Sequence, residues 1–200
     1  MILTIFTANS QLTTHTSTPL STSNTHITQT PHFSRSHCLT FSRTLIKLKH
    51  IDLLALQSSL KTDKDKDGVS VMYDPVRRIY VRSTPEEIVR QLWIRYLVEV
   101  KKVNRKLIAV ERAFSIQGMK RRFDLVIFDK STLPVLLAEF KAPGVSVNQV
   151  TFDQIAVYNM QLKIPYALVS NGMEHYSFKI DDEEKGFVFF EDLPELSIKT

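Results

Sequence analysis

The stretch Arg121 to Pro143, RRFDLVIFDKSTLPVLLAEFKAP, constrains the fold more than any other. It reads as two apolar strands joined by a short polar turn, Asp129 to Thr132. Asp124 interrupts the first strand, and Glu139 and Lys141 stand two apart near the end of the second. Strand side chains alternate between faces, so Glu139 and Lys141 project to one side. Charged groups inside apolar strands need compensation. A turn this short makes the strands neighbours and brings Asp124 within reach of Glu139.

The flanking sequence gives this hairpin a setting. Ser83-Thr84-Pro85-Glu86-Glu87 has the form of a helix start, with Thr84 as cap, Pro85 in the first position and Glu87 as a capping-box carboxylate. The helix then presents Ile88, Val89, Leu92, Trp93, Tyr96, Leu97 and Val100 on one broad face. On that wheel Glu86 falls at the margin of the apolar face and Glu87 points away. Glu86 therefore suits a site beneath the helix, and Glu87 suits the cap. The basic run KKVNRK from Lys101 complements the helix C-terminus.

Ile108 to Glu111 is expected to open the core sheet, followed by a loop through Gly118. After the hairpin, helical spacing runs from Val147 or Asn148 to about Leu162 and sets Gln154 and Tyr158 four apart on one face. Tyr166 to Ser170, His175 to Ile180 and Phe187 to Phe190 read as strands, with Asn171-Gly172 as a turn. Upstream, Ile51 to Leu60, Val69 to Tyr73 and Ile79 to Val81 read as strands around the charged turn KTDKDKDG and the turn Asp74-Pro75. The spacing of that charged turn does not match a calcium loop. The whole predicts a mixed α/β sheet flanked by helices, with an N-terminal strand and hairpin extension.

Residues 1–44 differ in kind. They are rich in Ser and Thr, and the first acidic residue of the chain is Asp52. Such a segment buries too little apolar surface to offset its ordering entropy, so a disordered tail is expected before a single domain over 45–200. A transit-peptide-like segment or an upstream start codon would have the same composition. Cys38 is the only cysteine among 200 residues, which excludes internal disulfides and Cys-based zinc sites. No apolar run approaches the roughly 20 residues of a membrane span. The default expectation is a soluble cytoplasmic protein with no membrane partner. A charge of +5 and a pI near 9.3 suit an anionic partner.

Taken alone, an aspartate followed by Glu-x-Lys also fits a surface hairpin with ordinary salt bridges. The placement of the carboxylates inside apolar strands, between a glutamate-bearing helix and a Gln/Tyr helix, favours a site. Two clustered carboxylates repel and tend to hold their protons unless a cation intervenes. Oxygen-only ligands select a hard ion, Mg²⁺ with Mn²⁺ as substitute. Such an ion stabilises charge on a phosphodiester and lowers the pKa of bound water, while Lys141 can orient that water or offset charge on the phosphate.

Asp124 with Glu139-Phe140-Lys141 resembles the signature of the PD-(D/E)xK nuclease superfamily. Gln154-x-x-x-Tyr158 resembles the QxxxY motif that RecB-type nucleases and type I restriction subunits carry after it. TPEEIVRQ, from Thr84 to Gln91, and SNG, from Ser170 to Gly172, resemble the N-terminal nuclease domain of type I restriction R subunits and short stand-alone bacterial relatives of it. The resemblance covers about Leu45 to Ile180. It implies a restriction-endonuclease-like fold and an Mg²⁺-dependent endonuclease acting on DNA. Asp124 and Glu139 would hold the metal with the Phe140 carbonyl, Lys141 would be the catalytic lysine, and Glu86 would complete the acidic set. Gln154 and Tyr158 would support the site or touch DNA. Phe123 departs from the proline often found before the aspartate, at a position that supplies no ligand.

Arg121, Arg122 and Lys120 suit phosphate contacts or a solvated basic patch. Trp93 and Tyr96 are expected in the core, and His175 in a structural role. The chain has no phosphate-binding Gly-Lys loop and no helix-turn-helix or zinc module. Sequence specificity or translocation would thus come from a restriction or repair complex, and cutting both strands would favour a homodimer. The alternative is a catalytically silent module of the same fold that binds nucleic acid or a protein.

Overall fold

The computed structural model describes residues 45–116, 119–181 and 186–196. The expected tail over 1–44 lies outside the described residues.

Two sheets enclose one helix. The smaller is antiparallel, in the order β1 (Thr62–Lys64), β2 (Ser70–Asp74), β3 (Ile79–Arg82). The larger runs in sequence order through β4 (Ile108–Ile116), β5 (Met119–Phe128), β6 (Pro134–Phe140), β7 (Tyr166–Ser170), β8 (His175–Asp181) and β9 (Gly186–Phe190). Its neighbours are antiparallel except β6 and β7, whose parallel pairing requires the crossover helix α2 (Gln149–Leu162). This is the expected mixed sheet with flanking helices, of the restriction-endonuclease-like kind.

Helix α1 (Pro85–Arg95) starts where its sequence directs. Thr84 accepts a hydrogen bond from the Glu87 N–H at 3.2 Å and Pro85 fills the first turn. It passes into a π-helical turn over Tyr96–Val100. Ile88, Val89, Leu92, Trp93 and Leu97 are almost completely buried against Leu125, Ile127, Leu136, Ala138, Phe140 and Leu168 of the large sheet. The Trp93 and Phe140 rings stack with centroids 6.4 Å apart. Across the sheet, Phe152, Ile155 and Ala156 of α2 pack with Phe123, Val126, Leu137, Val169, Phe178 and Phe187. Each such side chain contributes about 1.5–3 kcal/mol on burial, which fixes the two helices on opposite faces.

Four expectations change. Leu54–Ser59 is a 3-10 helix rather than part of a strand; its Leu, Ala and Gln lack the β-branching that favours extended chain, and Asp52 receives the Ala55 N–H at 3.2 Å. The charged turn contributes the short strand β1 before Asp65 closes it by accepting from Asp67 and Val69 N–H. The strand expected to end at Glu111 continues to Ile116, and Val100, expected in the apolar face of α1, is exposed. The turns at Asp74 and Asn171 form as expected, with Asp74 Oδ1 accepting from Val76 and Arg77 N–H and Gly172 at φ 85°.

Candidate active site

Asp124 sits where β5 and β6 part. Their ladder begins at Leu125 opposite Ala138, and the Phe140 N–H turns to donate to Asp124 Oδ2 at 2.7 Å. Strict alternation would send Asp124 to the face of Val126. Instead Phe123 packs on the α2 side, Leu125 packs on the α1 side, and Asp124 meets α1. The pleat is broken where the β4–β5 ladder skips the pair Glu111 and Asp124, with Glu111 at φ 52°. A left-handed backbone at a non-glycine residue carries strain, and here it turns an aspartate into the space beneath a helix.

Glu139 and Lys141 are joined as their spacing requires, with Nζ 2.8 Å from Glu139 Oε1. Lys141 lies just beyond β6, and its backbone N–H donates to the Ser170 carbonyl of β7 at 2.9 Å. The position of the lysine therefore depends on the parallel β6–β7 pairing.

Burial raises the pKa of Glu139, and the charge of Asp124 raises it further, against the opposing effect of Lys141. Glu86 is raised for the same two reasons, burial first and Asp124 second. Lys141 is held above its usual value although burial works against it, because its bond to Glu139 and the charges of Glu139, Asp124 and Glu86 outweigh desolvation. The three carboxylates and the lysine thus feel one another electrostatically.

Glu87 does not take its expected position. Glu87, expected to point away and cap the helix, is 6% exposed, whereas the Glu86 side chain is 47% exposed. The wheel assumed one buried face, but the small sheet covers the other side of α1. Glu87 consequently accepts from Arg77 Nη2 at 2.7 Å, from Gln91 Nε2 at 2.9 Å, and from Arg90 Nη1. Arg90, 4% exposed, extends its second nitrogen to Asp124 Oδ1 at 2.7 Å and to Glu86 Oε1 at 3.4 Å. Arg77 also reaches Asp74 Oδ2 at 2.6 Å and Glu111 Oε2 at 2.7 Å. Sequence reasoning missed this layer. Its signal was Arg90-Gln91, a polar pair in the middle of an otherwise apolar helical run.

The downstream motif lies on α2 as expected, with Gln154 on an exposed part of the helix. Tyr158 belongs to the same helix, and its side chain lies outside the described ones, as do those of Lys120 and Arg121. The exposed Arg122 comes within 3.5 Å of Glu111 Oε1. His175 is structural: it is 5% exposed, shares a 2.7 Å hydrogen bond with Ser170 Oγ, and meets Trp93 edge to face. Burial pushes its pKa down to about 4, so it is neutral near pH 7. Trp93 and Tyr96 are core residues.

Among the described residues, no group of three or more His, Cys, Asp and Glu side chains is arranged to hold a metal ion. Two carboxylates suffice for Mg²⁺, which keeps several waters. Asp124 and Glu139, with the neighbouring Phe140 carbonyl, are all-oxygen donors, and the pKa of Glu139 is raised first by burial and then by the charge of Asp124, a repulsion that a cation would relieve. Each Asp124 oxygen retains a lone pair beyond its present bond. The donor set fits a hard divalent ion. Among the described residues no helix is long and apolar enough to cross a membrane.

A family model described as type I restriction enzyme R protein N terminus matches residues 85–194. Among solved structures, the chain is similar to a fragment of a putative HsdR subunit of a type I restriction enzyme from Vibrio vulnificus YJ016, at 17% identity and a TM-score of 0.43. That match covers 56% of this chain and 24% of the other, so this chain spans about a quarter of the fragment's length. No curated protein matches the chain.

Proposed function

This chain belongs to the family of type I restriction enzyme R protein N-termini, and from that premise we propose that it is an Mg²⁺-dependent nuclease domain of the PD-(D/E)xK kind that hydrolyses phosphodiesters in DNA. The observation that carries the reading is the group formed by Asp124, Glu139 and Lys141, in which Lys141 is bonded to Glu139 and both Glu139 and Glu86 feel the charge of Asp124.

Asp124 and Glu139 would hold the metal, with the Phe140 carbonyl as a third donor. When bound, the ion supplies Lewis acidity at a phosphoryl oxygen and a more acidic water. Asp124 is held by Arg90 and the Phe140 N–H, so its carboxylate enters the reaction already oriented. Lys141 stays protonated and can donate to the attacking water or to a non-bridging phosphate oxygen. Glu86, the more exposed carboxylate, can accept a proton or a water hydrogen bond at the rim of the site. Gln154 and Tyr158 would support the site or contact DNA from α2. Partner subunits of a restriction or repair complex, or a second copy of the chain, would supply sequence specificity and the second cut.

One observation favours a silent module that binds nucleic acid or a protein: Arg90 already neutralises Asp124. The free lone pairs of that carboxylate leave the catalytic reading ahead. Nicking of supercoiled plasmid, with Mg²⁺ or Mn²⁺ against chelator, decides between the two. Metal-dependent nicking abolished by Asp124→Ala and by Lys141→Ala is expected. Nicking that survives both substitutions removes the proposed site, and absence of Mn²⁺ uptake by calorimetry favours the silent module.

A further inference from the structure

We infer that Arg77 and Arg90 are positioning residues for Asp124, and that the N-terminal sheet is thereby a working part of the site. The inference rests on the reading of Asp124 as a metal-holding carboxylate. Residues 62–82, which form β1 to β3, precede the 85–194 matched by the family model. They nevertheless deliver Arg77, on the turn between β2 and β3, into the layer behind the site.

The connection is a chain of alternating charge. Asp74 Oδ2 accepts from Arg77 Nε at 2.6 Å, and Arg77 Nη2 donates to Glu87 Oε1 at 2.7 Å. The other oxygen of Glu87 accepts from Arg90 Nη1, and Arg90 Nη2 donates to Asp124 Oδ1 at 2.7 Å. Asp74 is fully buried and also accepts from Gln91 Nε2 at 2.9 Å, so the outer end of the chain is anchored. The remaining fork nitrogen of Arg77 holds Glu111 at 2.7 Å. Arg77 thus ties β2, α1 and β4 together at the place where the β4–β5 ladder breaks and Asp124 turns out of its pleat. A planar guanidinium can serve three acceptors in fixed directions, and a lysine ammonium cannot reproduce that fork. Partners behind metal ligands commonly change metal affinity 10–100-fold when removed.

Arg77 separates positioning from simple charge. Losing a positive charge near a cation site tightens cation binding, whereas losing a positioning residue weakens it. The two effects have opposite signs. Mn²⁺ affinity is therefore measured by calorimetry on the full chain for the parent, Arg77→Gln and Arg77→Lys, with folding checked by thermal melts. The expected result is at least about a tenfold loss in Arg77→Gln, with a substantial loss remaining in Arg77→Lys. Affinity unchanged or tightened in Arg77→Gln overturns the inference, as does full recovery in Arg77→Lys.

A second arm works without metal. In chelator, melting temperatures are compared for Arg77→Lys, Asp124→Asn and the double variant. The relay requires that the double variant lose less than the sum of the single losses, although Arg77 and Asp124 share no direct bond. Additive losses refute the relay. If the parent binds no Mn²⁺, the metal reading of Asp124 fails and this cycle alone decides whether Arg77 positions the aspartate.

Discussion

Replacing Arg90 by Met removes the cation between two acidic residues while keeping most of the side-chain volume. The Arg90 side chain is 5% exposed, and those of its partners Glu87 and Asp124 are 8% and 16% exposed. Water can therefore restore little of the lost solvation. Breaking a buried pair from one side costs about 3–5 kcal/mol, because the remaining charge stays buried without its partner. For a chain of this size each kcal/mol lowers the melting temperature by about 2–4 °C, so a drop of about 6–20 °C is expected in chelator. Glu86→Gln is the internal control. Its contact with Arg90 is longer, at 3.4 Å, and its side chain is 47% exposed, so its loss belongs in the range of about 0–1 kcal/mol of a surface pair. Neutralising the partners as well, in Arg90→Met with Glu87→Gln and Asp124→Asn, recovers much of the loss, since uncharged groups no longer lack a counter-ion. The reasoning is refuted if Arg90→Met melts within about 2 °C of the parent, or if the triple variant is no more stable than the single.

Glu139 holds its proton more tightly in the folded chain than its ordinary value of 4.5 implies, so its contribution to stability is present below that value and lost as pH rises through the folded pKa. Glu139→Gln should accordingly melt higher than the parent at pH 7.5 in chelator, by about 0.5–2 kcal/mol, while losing metal-dependent nicking; a lower melt contradicts the electrostatic account. His175 has the opposite dependence: with its pKa lowered from 6.5 to about 4, its stabilising effect is full above 6.5 and lost as pH falls toward 4. The loss is about 3 kcal/mol at most, read by urea titration against pH, and His175→Gln should flatten the profile. Phe140→Ala opens a cavity against Trp93 and should cost about 3–5 kcal/mol; a loss below about 1 kcal/mol would mean that the stack does not organise the end of β6.

Much of the architecture was legible because it depends on local chemistry. Thr84-Pro85 sets the start of α1, alternating apolar residues set β5 and β6, and Asn171-Gly172 sets the turn before β8. The period of two also determined that Glu139 and Lys141 lie together, and the structure joins them at 2.8 Å. The 3-10 helix over Leu54–Ser59 was misread because a short apolar run carries no clear period.

The tertiary structure decided what periodicity could not. A wheel identifies one buried face of α1, and only the arrival of the small sheet on the other side makes Glu87 and Arg90 interior residues. Strict alternation placed Asp124 on the α2 face, and the left-handed Glu111 opposite it turned the aspartate toward Arg90. The partners Asp74, Arg77 and Glu111 come from segments 13 to 50 residues before Asp124, with spacings that no local pattern specifies. The sequence by itself therefore determined the hairpin, its helices and the candidate acid–lysine set. Which charges are buried, and what holds Asp124 in place, depends on long-range packing, because burial belongs to neighbouring elements rather than to the residue that becomes buried.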